Sequence, residues 1–154
     1  MQKYKLDQKH YGPLILNKTT FPIKKDRHTD KWKVFDGRDQ VLGRLCSDVV
    51  SFIKGKHRPD YATHYSNAPN VIIINAQHIK LTGSKRQNKV YLTHPTMKPG
   101  QKTINIKRYL DGDVTRIVTY ALKGMLPKNP LGYELLRRIR VFATDKHIHQ
   151  AQIA

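Results

Sequence analysis

Three short clusters bring together residues that could do chemistry. Gly55-Lys56-His57-Arg58-Pro59 packs three cationic or potentially cationic groups between an expected helix end and a proline, which suits gripping phosphates from an irregular surface. In Thr82-Gly83-Ser84-Lys85-Arg86 the glycine lets a ligand reach the backbone, the hydroxyls donate hydrogen bonds, and the two cations neutralise phosphate charge. That segment lacks the Gly-x-x-x-x-Gly-Lys-Ser/Thr spacing of a nucleotide-binding P-loop, so ATP and GTP are not expected. A solvated loop is the plain alternative for both clusters. The third cluster is His147-Ile148-His149.

Eight histidines raise the question of a metal site or a nuclease. A zinc site needs three or four converging ligands, and the sequence has neither a His-Glu-x-x-His motif nor a cysteine pair. No metal and no cofactor are therefore expected, and the histidines read as hydrogen-bonding groups facing RNA. Asp36, Asp39, Asp60, Asp111 and Asp113 lie near turns and helix starts, where capping is their usual work. No nucleophile stands paired with a base, so neither an enzyme nor a small-molecule substrate is indicated. The single cysteine, Cys46, falls on the apolar side of a helix and reads as a small core residue. Trp32, Tyr91 and Tyr120 are core candidates first and base-stacking platforms second.

The elements that position these groups alternate. Trp32-Lys33-Val34-Phe35 has strand character and Asp36-Gly37-Arg38-Asp39 is turn chemistry. Leu42, Leu45, Cys46, Val49 and Ile53 recur at helical spacing up to Gly55, a natural stop. Val71-Ile72-Ile73-Ile74 is unbroken and β-branched, as a strand covered on both faces should be, so helices are expected on either side of it. Residues 82–89 read as a basic loop, Val90-Tyr91-Leu92 as a short strand, and Pro95 to Gly100 as a break. Asp113 is placed to cap a helix with apolar face Val114, Ile117, Val118, Ala121 and Leu122, ending near Gly124. Leu131, Leu135, Leu136 and Ile139 suggest another short helix, and Val141-Phe142-Ala143 a last strand. The alternation predicts an α/β fold, a single three-layer α/β/α domain.

Charge sets the partner class. The 154 residues carry 29 Lys+Arg against 11 Asp+Glu, a formal net charge of +18, with mean hydropathy −0.63. Such self-repulsion exceeds what solubility asks for and points to a polyanion. Residues 83–154 hold fourteen basic and four acidic side chains and residues 1–31 hold eight and three, so the excess lies toward the two ends. The longest apolar run, Val71 to Ile74, is far below the roughly 18 residues of a membrane span. Residues 1–31 have no apolar signal core, contain three Asp and no Ser, and read as a basic N-terminal arm of the mature protein rather than a transit peptide. The expected organisation is an arm at 1–31, an α/β domain at 32–152, and a two-residue end at 153–154.

One family matches an ordered set of motifs. Leu42-Gly43-Arg44-Leu45, Gly55-Lys56-His57-Arg58-Pro59-x-Tyr61, Ile74-Asn75-Ala76, Thr82-Gly83-x-Lys85, Lys89-Val90-Tyr91, Gly124-Met125-Leu126-Pro127-Lys128 and His147-x-His149-x-Ala151-Gln152 resemble ribosomal protein L13 of bacterial type. The likeness runs from about Trp32 to Gln152. The resemblance implies a compact α/β/α domain around a small mixed, mostly parallel sheet. It also implies a non-catalytic, structural role in the large ribosomal subunit, with large-subunit ribosomal RNA and neighbouring ribosomal proteins as partners. Carried over, the RNA-facing positions are Arg44, Lys56, His57, Arg58, Lys85, Arg86, Lys89, Lys123, Lys128, His147 and His149, with Gly124 to Lys128 a tight RNA-contacting turn.

Departures from the family pattern fall at Tyr65 to Pro69, at Pro95 to Lys102, and at Asn129 and Tyr133. With the long arm, they suggest an organelle ribosome, mitochondrial before plastid or bacterial. Two other readings come from different classes: a small RNA-processing enzyme and an RNA-binding regulator acting outside the ribosome.

Overall fold

A computed structural model describes residues 32–58, 61–64, 69–93 and 100–153. The expected arm at 1–31, Asp60, His94, the departures at 65–68 and most of the break at Pro95 to Gly100 lie outside the described residues.

Strand β1 (Trp32–Asp36) leads through a turn into helix α1 (Leu42–Ile53), which returns to strand β2 (Asn70–Ile74). A one-turn helix α2 (Lys85–Asn88) follows, then the antiparallel pair β3 (Val90–Thr93) and β4 (Lys102–Asn105). Helices α3 (Ile106–Asp111), α4 (Val114–Met125) and α5 (Pro130–Arg137) precede strand β5 (Ile139–Val141). The central sheet has the order β1-β2-β5 and is wholly parallel; the β3–β4 ribbon is separate from it. The α/β class expected from the alternation is the observed one.

Period-two alternation in the sheet decides what each face meets. Val71 and Ile73 pair in register with Lys33 and Phe35, and point toward a core of Leu45, Cys46, Val49 and Ile53 from α1 and Ile117, Val118 and Leu122 from α4. Ile72, in register with Val34 and Arg140, is also fully buried but stands apart from that core. Over the same face the C-terminal tail folds back, and His149 stacks on Trp32 with ring centroids 5.2 Å apart. Helices were expected on both faces; on this one the contact seen is made by the tail's aromatic rings.

Several element ends depart from expectation. Ile139 is not helical: α5 ends at Arg137, with Arg138 as its C-cap and bonded to Glu134 at 3.0 Å. Ile139 instead pairs with Val71 and is buried, so the last strand begins two residues earlier than Val141. A β-branched side chain at a helix end gains more by packing in the sheet than by extending the helix. The basic loop at 82–89 contains one turn of helix, and β4 and α3 were not foreseen because four- and six-residue elements carry too little periodicity. Asp113 does sit at the N-cap of α4. Its carboxylate, however, accepts from the Thr115 hydroxyl and the Arg116 guanidinium at 2.9 Å, with no side-chain bond to a helix N–H group.

Candidate nucleic-acid interface

The first group of basic residues surrounds a cleft of about 350 Å³ between the start of α1 and the end of α4. Lys85 and Lys89, at the two ends of α2, line it, together with Lys80 and Thr82. Lys80 is neutralised by Asp39 at 2.8 Å, whereas neither Lys85 nor Lys89 is ion-paired among the described residues. Tyr91 and Tyr120 stack on each other within the same lining, 5.1 Å between centroids, and the Lys89 ammonium lies 5.4 Å from the Tyr91 ring. Burial raises the Tyr91 hydroxyl above its ordinary value and keeps it neutral. Gly43 and Gly124 complete the walls, and each is followed or preceded in the chain by an exposed cation, Arg44 and Lys123. Arg86 is exposed on α2 itself.

The second group lies beyond the other end of α1, a helix about 18 Å long. Gly55 adopts φ +72° and ends the helix, its N–H bonding to the Phe52 carbonyl oxygen at 2.9 Å. The reversal places the His57 ring flat on Phe52, 4.8 Å between centroids with 2° between planes. On the same ring sits the Lys33 ammonium at 4.4 Å, a cation that sequence reasoning missed because nothing in the strand's own residues shows that it meets Phe52 of α1. Lys56 is exposed and Arg58 half-buried.

A third position follows α4. The segment Gly124 to Lys128 is the last turn of α4 through Met125 and then a reversal, with Leu126 buried and Lys128 exposed. Asn129 accepts from the Gly132 N–H at 2.8 Å and caps α5, with Pro130 in its first turn. Lys123, Lys128 and the exposed Tyr133 border a shallow groove of about 90 Å³ here.

His147 and His149 stand apart from these groups. Both are half-buried against Phe142, and His149 also covers Trp32; Ile148 between them is 85% exposed. Packing holds these rings first, a role that their spacing did not disclose. Cys46 is fully buried and pushed up to about 12 by burial, consistent with a small core residue. Among the described residues no group of three or more His, Cys, Asp or Glu side chains could hold a metal ion, and no helix is long and apolar enough to cross a membrane.

The residues that line the cleft come from four of the motifs separated in sequence: Gly43, Thr82 with Lys85, Lys89 with Tyr91, and Gly124 with Met125. All four motifs fall within one family match. Residues 30–148 match the family described as Ribosomal protein L13. The chain is 38% identical over 133 residues to the large ribosomal subunit protein uL13 of Pseudomonas putida (strain W619), covering 86% of this chain and 94% of the relative. It is 39% identical, with the same coverage, to the protein of that name from Dictyoglomus thermophilum. With a match running through both ends of the cleft and through every basic group described above, the chain belongs to the ribosomal protein L13 family.

Proposed function

We propose that this protein is a structural constituent of the large ribosomal subunit that binds large-subunit ribosomal RNA beside neighbouring ribosomal proteins and has no catalytic activity. The observation that carries the reading is the family match over residues 30–148, with relatives named as large ribosomal subunit proteins. The surface supports it. Arg44, Lys56, His57, Lys85, Arg86, Lys89, Lys123 and Lys128 are all exposed on separate patches, an arrangement suited to a folded polyanion touched at several places. His147 and His149 belong to the proposed contact set only at the edges left open by Trp32 and Phe142. Because phosphate neutralisation releases counterions, binding should weaken steeply with salt.

The test is sucrose-gradient sedimentation of a tagged copy, with the RNA of the tagged fractions sequenced. Co-migration with a large subunit is the expected result. Tag confined to light fractions would overturn the reading in favour of an extra-ribosomal regulator, and cleavage of naked RNA by the purified chain would favour a processing enzyme.

A second reading concerns compartment. The basic stretch at 1–31 and the departures at Asn129 and Tyr133 favour an organelle ribosome, mitochondrial first. The relatives named above are bacterial and give this placement no support. The same gradient decides it, since the co-migrating RNA is mitochondrial, plastid or bacterial by sequence.

A further inference from the structure

Two glycines in helices have no steric reason, among the described residues, to be glycine. A Cβ built on Gly43 or on Gly124 meets none of the described residues within 4 Å, and neither glycine has a positive φ. Glycine inside a helix is disfavoured relative to alanine, so each position gives up helix stability. Both open onto the same cleft. What a glycine supplies there is room for close approach to the backbone.

The cleft's chemistry narrows the occupant. Its floor is aromatic and apolar, from the Tyr91–Tyr120 pair and Met125, and its rim carries Lys85 and Lys89, neither ion-paired among the described residues. Among the described residues no Asp or Glu lines it. At one wall the N-cap of α1 is Val41, which has no side-chain oxygen to accept the first N–H groups of the helix, and no acidic residue stands in the first turn. That leaves donors at Gly43 and Arg44 for an anion, beside the two lysines. A flat, unsaturated ring joined to a phosphate satisfies both halves of the site.

We propose that this cleft holds one unpaired nucleotide of the bound RNA, its base against the Tyr91–Tyr120 pair and its phosphate between the start of α1 and Lys85 and Lys89. The proposal rests on the RNA-binding reading above and adds a single-nucleotide pocket to it. Splaying one base out of a strand onto aromatic side chains is how single-stranded RNA is commonly held.

The test fills the pocket without touching its charge. Gly43→Leu and Gly124→Leu add apolar bulk at helical positions where a side chain has room, and circular dichroism and thermal melts check that the fold persists. Binding of the full chain is measured by anisotropy to a short oligoadenylate, to an abasic ribose-phosphate oligomer of equal length, and to free AMP. The wild type should prefer the oligoadenylate over the abasic oligomer by about ten-fold. Each leucine variant should lose that preference and bind the two oligomers alike. Equal preference in wild type and variants overturns the pocket while leaving RNA binding standing. Failure of the wild type to bind either oligomer at low salt overturns the RNA reading itself. Saturable binding of AMP as tight as that of the oligomer overturns the RNA-borne source in favour of a free nucleotide.

Discussion

His149 stacks on Trp32 at 5.2 Å with 27° between the ring planes, and so fastens the C-terminal tail over the first strand of the sheet. Trp32 is the only tryptophan in the chain, so tryptophan fluorescence reports on the surroundings of this one ring. His149→Ala should shift Trp32 emission to the red and speed proteolysis of the segment after β5, with a loss of stability of about 1 kcal/mol, the scale of an aromatic pair. If emission and cleavage rate are unchanged while RNA affinity falls, the histidine's work lies with RNA and not with the tail.

The close approach of Gly132 to Pro127 leads to the opposite expectation from the cleft glycines. A Cβ at Gly132 would overlap the Pro127 carbonyl oxygen, a backbone atom that cannot swing aside. Gly132→Ala should therefore destabilise the protein by about 2 kcal/mol or more, whereas Gly43→Ala and Gly124→Ala should each stabilise it by about 0.5 to 1 kcal/mol. Urea unfolding of the three variants checks both signs.

Acid should weaken the fold through three carboxylates. The Arg38 N–H and the Asn75 amide hold Asp36 below the ordinary 3.8, Lys80 does the same for Asp39, and the Thr115 hydroxyl leads for Asp113. Because each folded pKa is depressed, the unfolded chain takes up protons first as pH falls. Their stabilisation is complete above about pH 5 and is lost as pH drops through 3.8 and then through the folded values. All three groups are exposed, so the contribution of each is small and is best read as a difference. The urea midpoints of wild type and Asp36→Asn should differ at pH 7 and converge near pH 2; a constant gap across that range would remove the Asp36 carboxylate from the pH dependence.

Elements with strong periodicity were legible from the residues. The α1 pattern at Leu42, Leu45, Cys46, Val49 and Ile53 is buried as read, Gly55 ends the helix in the left-handed conformation that favours glycine, and Val71 to Ile73 are wholly inside. Short elements escaped, because β4 and α3 offer too few turns or alternations to rise above their neighbours. At the site, the basic residues were legible one by one, but their grouping was not. Nothing in the spacing of Gly43, Lys85, Lys89 and Gly124 indicates that they meet, since that depends on the packing of α1 against α4. The histidines show the converse: His147 and His149 read as RNA-facing hydrogen-bonding groups in sequence, and the fold gives them Trp32 and Phe142 as neighbours.

Cys46 tests how closed that helix-to-helix packing is. Its side chain is fully buried in the core cluster with Val49 and Val71, and burial alone pushes the thiol up to about 12. A thiol that stays protonated and out of reach is neither a nucleophile nor a disulfide partner. In the folded protein at pH 8, a thiol reagent should therefore react only after unfolding in urea, when the single cysteine appears at the rate of a free one. Cys46→Ala should cost about 1 kcal/mol, as removal of a small buried group does, and leave RNA binding unchanged. Rapid labelling of the native chain would mean that the α1–α4 interface opens, and would place Cys46 within reach of whatever enters the cleft above it.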